Sequence, residues 1–163
     1  MWFHKRKPNP AETAGGLREQ ALTIAPSELG LDPGPDHEQV WGVLMETGYP
    51  EAVATLVTLA DGTTSLYFSN GGGMIGAGTH AQVRAAAGHF IALANTVVAA
   101  LLPTDSHPLP GVGRVRFYAR TFAGLRTAEA DEQDLGHGRH SLSPLFHAGH
   151  AVIATIREST GRQ

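Results

Sequence analysis

Residues 40–69 read VWGVLMETGYPEAVATLVTLADGTTSLYFS. Residues 40–46, 52–60 and 64–69 of that stretch are rich in β-branched, aromatic and large aliphatic side chains, the composition of strands packed on a pleated surface. Gly48-Tyr49-Pro50 closes the first run, and Asp61-Gly62 separates the second from the third. Asp-Gly is a strong two-residue hairpin signal, because a type I′ turn needs positive φ at both central positions. The reading is a three-stranded antiparallel meander turning at 61–62.

Downstream, residues 70–78 (NGGGMIGAG) form a glycine-rich loop, and Thr79 is placed to cap the helix that follows. That helix is expected over 80–102, ending at Pro103. Val83, Ala87, Phe90, Ala94, Val97 and Leu101 recur at spacings of three and four and so share one face. Residues 103–113 read as a connector. Val115, Phe117 and Ala119 then alternate with Arg114, Arg116, Tyr118 and Arg120, the period of a half-buried strand. A turn at Ala123-Gly124 leads to its partner, 125–130. Residues 131–140 read as a loop, and Ser143-Pro144 as the start of a last helix with Leu145, Gly149, Val152 and Ile156 inward.

Upstream, residues 17–24 suit a short helix before Pro26, and 31–36 (LDPGPD) a turn. The polar residues 1–16 are expected to be a disordered tail, leaving a single domain over 17–160. The fold class is α+β: a single antiparallel sheet of about five strands (three-strand meander, long helix, two-strand hairpin) with helices packed mainly on one face.

Composition narrows the function. The chain has 163 residues, 42% of them hydrophobic and 17% charged, enough apolar side chain for one ordinary core. A net charge of −3 gives no reason to expect nucleic acid as a partner. The absence of cysteine excludes disulfides, thiol nucleophiles and thiolate metal sites. The only lysines are Lys5 and Lys7, and no GxSxG elbow occurs, so Schiff-base and serine-elbow chemistries have no candidate residue. The basic N-terminus lacks a following apolar run, so no secretory signal peptide is expected. The stretch 85–102 is interrupted by Gly88, His89, Asn95 and Thr96, and stable membrane insertion is not expected.

Three groups of residues can carry chemistry. Gly71, Gly73 and Gly76 satisfy GxGxxG, but hairpin strands precede them and no carboxylate-bearing strand follows, so a dinucleotide fold is not indicated. What remains is an anion site at the helix start, built from Gly73, Gly76, Gly78, Thr79, His80 and Arg84. His137, His140, His147 and His150 fall within fourteen residues, and neutral imidazoles suit zinc or similar metals, although HExxH is absent. Arg114, Arg116 and Arg120 form a basic strip. With Ala123-Gly124 as the turn, it is neutralised across the hairpin: Tyr118 faces Glu129, Arg116 faces Asp131 and Arg120 faces Thr127.

Without a coherent catalytic set, the expected function is a non-catalytic cytoplasmic binding or assembly module. It is expected to self-associate as a homodimer or engage a protein partner, with no cofactor. The alternative is a small enzyme or sensor taking an anionic ligand at the glycine loop, with a histidine-bound metal.

Overall fold

The structure, a computed structural model, describes residues 9–74 and 76–161. Residues 1–8 of the expected tail lie outside the described residues. The rest of that tail is a correction: residues 10–16 belong to the first helix, α1 (Pro10–Thr23). Asn9 caps it, accepting from the Glu12 amide at 2.8 Å while the Glu12 carboxylate accepts from the Asn9 amide at 3.3 Å. Pro10 occupies the first turn, where a missing N–H costs nothing. This capping box starts the helix well upstream of the apolar residues.

The remaining elements are β1 (Val40–Gly48), β2 (Val53–Leu59), β3 (Thr64–Phe68), β4 (Gly73–Met74), α2 (Ala81–Val97), β5 (Leu102–Thr104), β6 (Arg114–Thr121), β7 (Gly124–Asp131), α3 (Glu132–Gly136) and α4 (Ser143–Gly161). The strands form one antiparallel sheet in the order β4-β3-β2-β1-β6-β7-β5. The meander and the later hairpin join through β1 and β6, which places β1 at the centre. The two-residue β4 and the three-residue β5 are additions to the expected five strands; β5 comes from the expected connector, and α3 from the expected 131–140 loop, where Asp131 caps Gln133 and Asp134.

Both turns differ from their sequence reading by local chemistry. Among the described residues no non-glycine residue has positive φ, so Asp61 does not form a type I′ turn. Instead residues 60–62 make a three-residue loop: the Gly62 amide donates to Leu59, Leu59 donates to Thr63, and Asp61 accepts from the Thr63 amide. Gly62, at φ +99°, supplies the one left-handed residue this loop needs. In the second hairpin the turn is Phe122-Ala123, one residue early, with the Thr121 hydroxyl accepting from Ala123 and donating to Gly124. The register becomes Arg116 with Glu129, Tyr118 with Thr127 and Arg120 with Leu125, which corrects the expected pairing.

Every residue of β1 is buried, because both sheet faces are covered. One face packs Val43, Met45, Leu56, Val115 and Phe117 under α2, α3 and α4. The expected stripes are buried there: Val83, Phe90 and Ala94 from α2, and Leu145, Gly149, Val152 and Ile156 from α4. The other face packs Leu44, Val57, Tyr67 and Tyr118 against Ala14, Ala21 and Leu22 of α1. A bulge between Val40 and Gly42 turns Trp41 onto this second face, so neighbouring residues of one strand serve both cores.

Candidate functional site

The glycine loop is built by close approach. A Cβ on Gly78 would lie 1.9 Å from the Gly62 carbonyl oxygen, so the loop backbone rests directly on the β2–β3 turn. That approach draws residues 77–79 into a short 3-10 turn, and α2 begins at Ala81. Thr79 therefore does not cap it; His80 stands at the cap position without a side-chain capping bond. Arg84 donates to the carbonyls of Gly78 and Thr79 at 3.1 and 3.0 Å. Its guanidinium is turned to the loop's own oxygens, and Gly73 lies apart, against Tyr67.

The four histidines do not gather. Among the described residues no three His, Asp or Glu side chains come together as a metal-holding group. His137 ends α3, and His140 uses Nδ1 to accept from the Leu142 amide. His147 is exposed and His150 half-buried, and both rings lie edge-on to Phe146, with centroids 5.6 and 4.4 Å away. The alternative reading of a histidine-bound metal therefore has no such cluster among the described residues to rest on.

The arginine strip is consumed internally. Arg116 donates to Glu129 at 3.0 Å and to Thr127 at 3.1 Å. Arg120 donates to the carbonyls of Ala21 and Ile24, both at 2.7 Å, and its guanidinium stacks 4.3 Å from the Trp41 ring centroid. It satisfies the C-terminal carbonyls of α1; burial lowers its pKa to about 10.

Three features escaped the sequence reading. The first is a polar knot beneath α1. Glu46, fully buried on β1, accepts two bonds from Arg18 at 2.8 and 2.9 Å and one from Thr55 at 2.6 Å. Burial opposes the Arg18 charge, but the bonds and charge of Glu46 outweigh it and hold that pKa above its ordinary value. The Tyr118 hydroxyl donates to the Pro108 carbonyl; burial, then the Glu46 charge, push its pKa up to about 12. The Tyr67 hydroxyl is buried beside them without a hydrogen-bond partner among the described residues. Glu46 followed by Thr47 in an otherwise apolar strand was the available signal.

The second feature is the outer side of α2. By length and composition the helix over 81–100 is apolar enough to cross a membrane, yet 22% of its most apolar window is buried. Its inner side is fastened to the sheet: the Asn95 side chain accepts from the Val40 amide at 2.8 Å and donates to the Val40 carbonyl at 3.3 Å. Asn95, which broke the apolar run in sequence, serves β1 at its bulge.

The third is a pocket of about 360 Å³ where α4 overhangs β2 and β3, lined by Tyr49, Leu66, Phe68, His150, Ile153 and Arg157 together with Ala54. No protein-family model, curated protein or solved structure matches the chain. The site geometry is therefore the basis for reading its function.

Proposed function

We propose that the protein is a non-catalytic assembly module of the cytoplasm that pairs with a second copy of itself through the outer side of α2. The observation that carries this reading is the apolar stretch over 81–100, of which so little is buried within one chain. Its exposed positions are Ala81, Gln82 and Arg84 in the first turn and Ala85, Gly88, His89, Ala92, Thr96, Ala99 and Ala100 beyond it. Beyond the first turn all of these but His89 are small, which lets two helices approach at the short end of the usual interaxial range of about 8–10 Å. No Asp, Glu, Lys or Arg occurs from Ala85 to Thr104, so no fixed charge has to be desolvated on pairing. A second copy covers this side while leaving the Asn95–Val40 bonds intact; insertion of α2 into a bilayer would break them.

Sedimentation velocity over two decades of concentration around about 10 μM tests the proposal. The expected result is a dimer that Ala92→Glu converts to a monomer with unchanged far-UV circular dichroism. A wild-type chain that stays monomeric throughout, or that instead floats with phosphatidylcholine vesicles, overturns it.

A further inference from the structure

The pocket under α4 combines apolar walls with polar groups that have nothing else to do. Leu66 and Phe68 of β3, Ala54 of β2 and Ile153 of α4 supply the walls. Among the described residues, every arginine except Arg157 has its guanidinium hydrogen-bonded or ion-paired within the fold. Arg157 alone keeps its donors, and it lines this pocket. His150 lines it too, with Nε2 buried and lacking a hydrogen-bond partner. Tyr49, 38% exposed at the rim, adds a hydroxyl. A free guanidinium, an unsatisfied imidazole and a phenol thus share one small apolar cavity.

We infer that this pocket binds a small monocarboxylate carrying an apolar body. One guanidinium matches one carboxylate, whose two oxygens fit its fork of N–H donors. A phosphate monoester brings close to two charges, and among the described residues the other full charge acting on Tyr49 is that of Glu132, which is negative. The walls cover aliphatic or aromatic carbons, and the volume suits a ligand of about ten heavy atoms rather than a nucleotide. None of its lining residues belongs to the glycine loop or to the outer side of α2, so it stands or falls independently of self-association.

Binding also carries a proton signature. The titratable and charged groups around His150 are His147 and Arg157 on its own helix, Tyr49 after β1, and Glu132, which acts on Tyr49 from α3. Burial, then His147 and Arg157, hold the imidazole below its ordinary pKa. A bound carboxylate adds a negative charge, favours the imidazolium and draws up a proton, so affinity rises as pH falls from 7.5 toward about 5.5.

The test titrates octanoate into the full chain, following backbone amides and the His150 imidazole by NMR. Octanol supplies the body without the charge, and inorganic phosphate the charge without the body. The expected result is saturable octanoate binding with Kd on the order of 1 mM, shifts centred on Phe68, Ile153 and His150, and a raised His150 pKa. Arg157→Met, at an exposed position, is expected to weaken octanoate about tenfold and leave octanol unaffected. Octanol binding as tightly as octanoate, phosphate binding as tightly as octanoate, no octanoate binding, or an unchanged affinity in Arg157→Met each overturn the inference.

Discussion

Arg18 and Glu46 meet where a helix with little apolar surface crosses the central strand, and their energetics are asymmetric. The pair as a whole contributes little net stability, because both charges leave water; removing one partner strands the other charge in the core. Arg18→Met is therefore expected to cost about 3–5 kcal/mol in urea-monitored unfolding, and adding Glu46→Leu is expected to recover most of it. A double variant no more stable than Arg18→Met shows the pair is not coupled. His150 gives the pH dependence. Its folded pKa lies below the unfolded value, so its contribution to stability is present above about pH 6.5 and lost as pH falls through the folded value. Thermal melts between pH 7.5 and 5 should show that acid loss, and His150→Gln should flatten it.

At the level of elements, α1 is a weak helix held by its ends. Gly15 and Gly16 sit in its middle, and a Cβ on either meets nothing within 4 Å. Gly15→Ala and Gly16→Ala are each expected to stabilise the protein by up to about 1 kcal/mol, with no shift in the amides of β1. Destabilisation by either substitution shows that the helix needs the glycines. This glycine pair also explains what was hidden in the sequence. The strand meander follows from composition and its turn residues, and the long α2 and the inward stripe of α4 from periodicity. By contrast α1 lacks an apolar period over 10–16, and its signal was the Asn9–Glu12 capping box. The site residues were harder still. Arg18, Glu46 and Tyr118 are 28 and 72 positions apart in sequence; the β1–β6 pairing joins the last two, and the packing of α1 on that face brings in Arg18. The hairpin register failed by one turn residue because Thr121, rather than Phe122, closes the loop with its hydroxyl.

The whole molecule is a sheet sealed on both faces, with residues 105–113 crossing the end of β1. Gly48 permits that crossing: a Cβ there would lie 2.0 Å from the Gly111 carbonyl oxygen, and the Gly113 amide donates to Gly48 at 2.9 Å. Gly48→Ala must push backbone aside and is expected to cost about 1–3 kcal/mol. It should also loosen the loop that receives the Tyr118 hydroxyl, so in an ultraviolet titration the phenol is expected to ionise at lower pH than in the unaltered protein. An unaltered titration would mean that the loop holds its place without Gly48.

The central position of β1 has a consequence for the order of manufacture. On the ribosome its pairing with β2, itself paired with β3, is available as soon as residue 68 has emerged, but its other edge pairs with β6, which starts at Arg114. At about 5–20 residues per second, a nascent chain spends seconds with half a sheet displaying an unclaimed, apolar edge. Translation speed through residues 69–114, and any chaperone that shields a bare strand during that interval, therefore bear on how much of the protein reaches its native state.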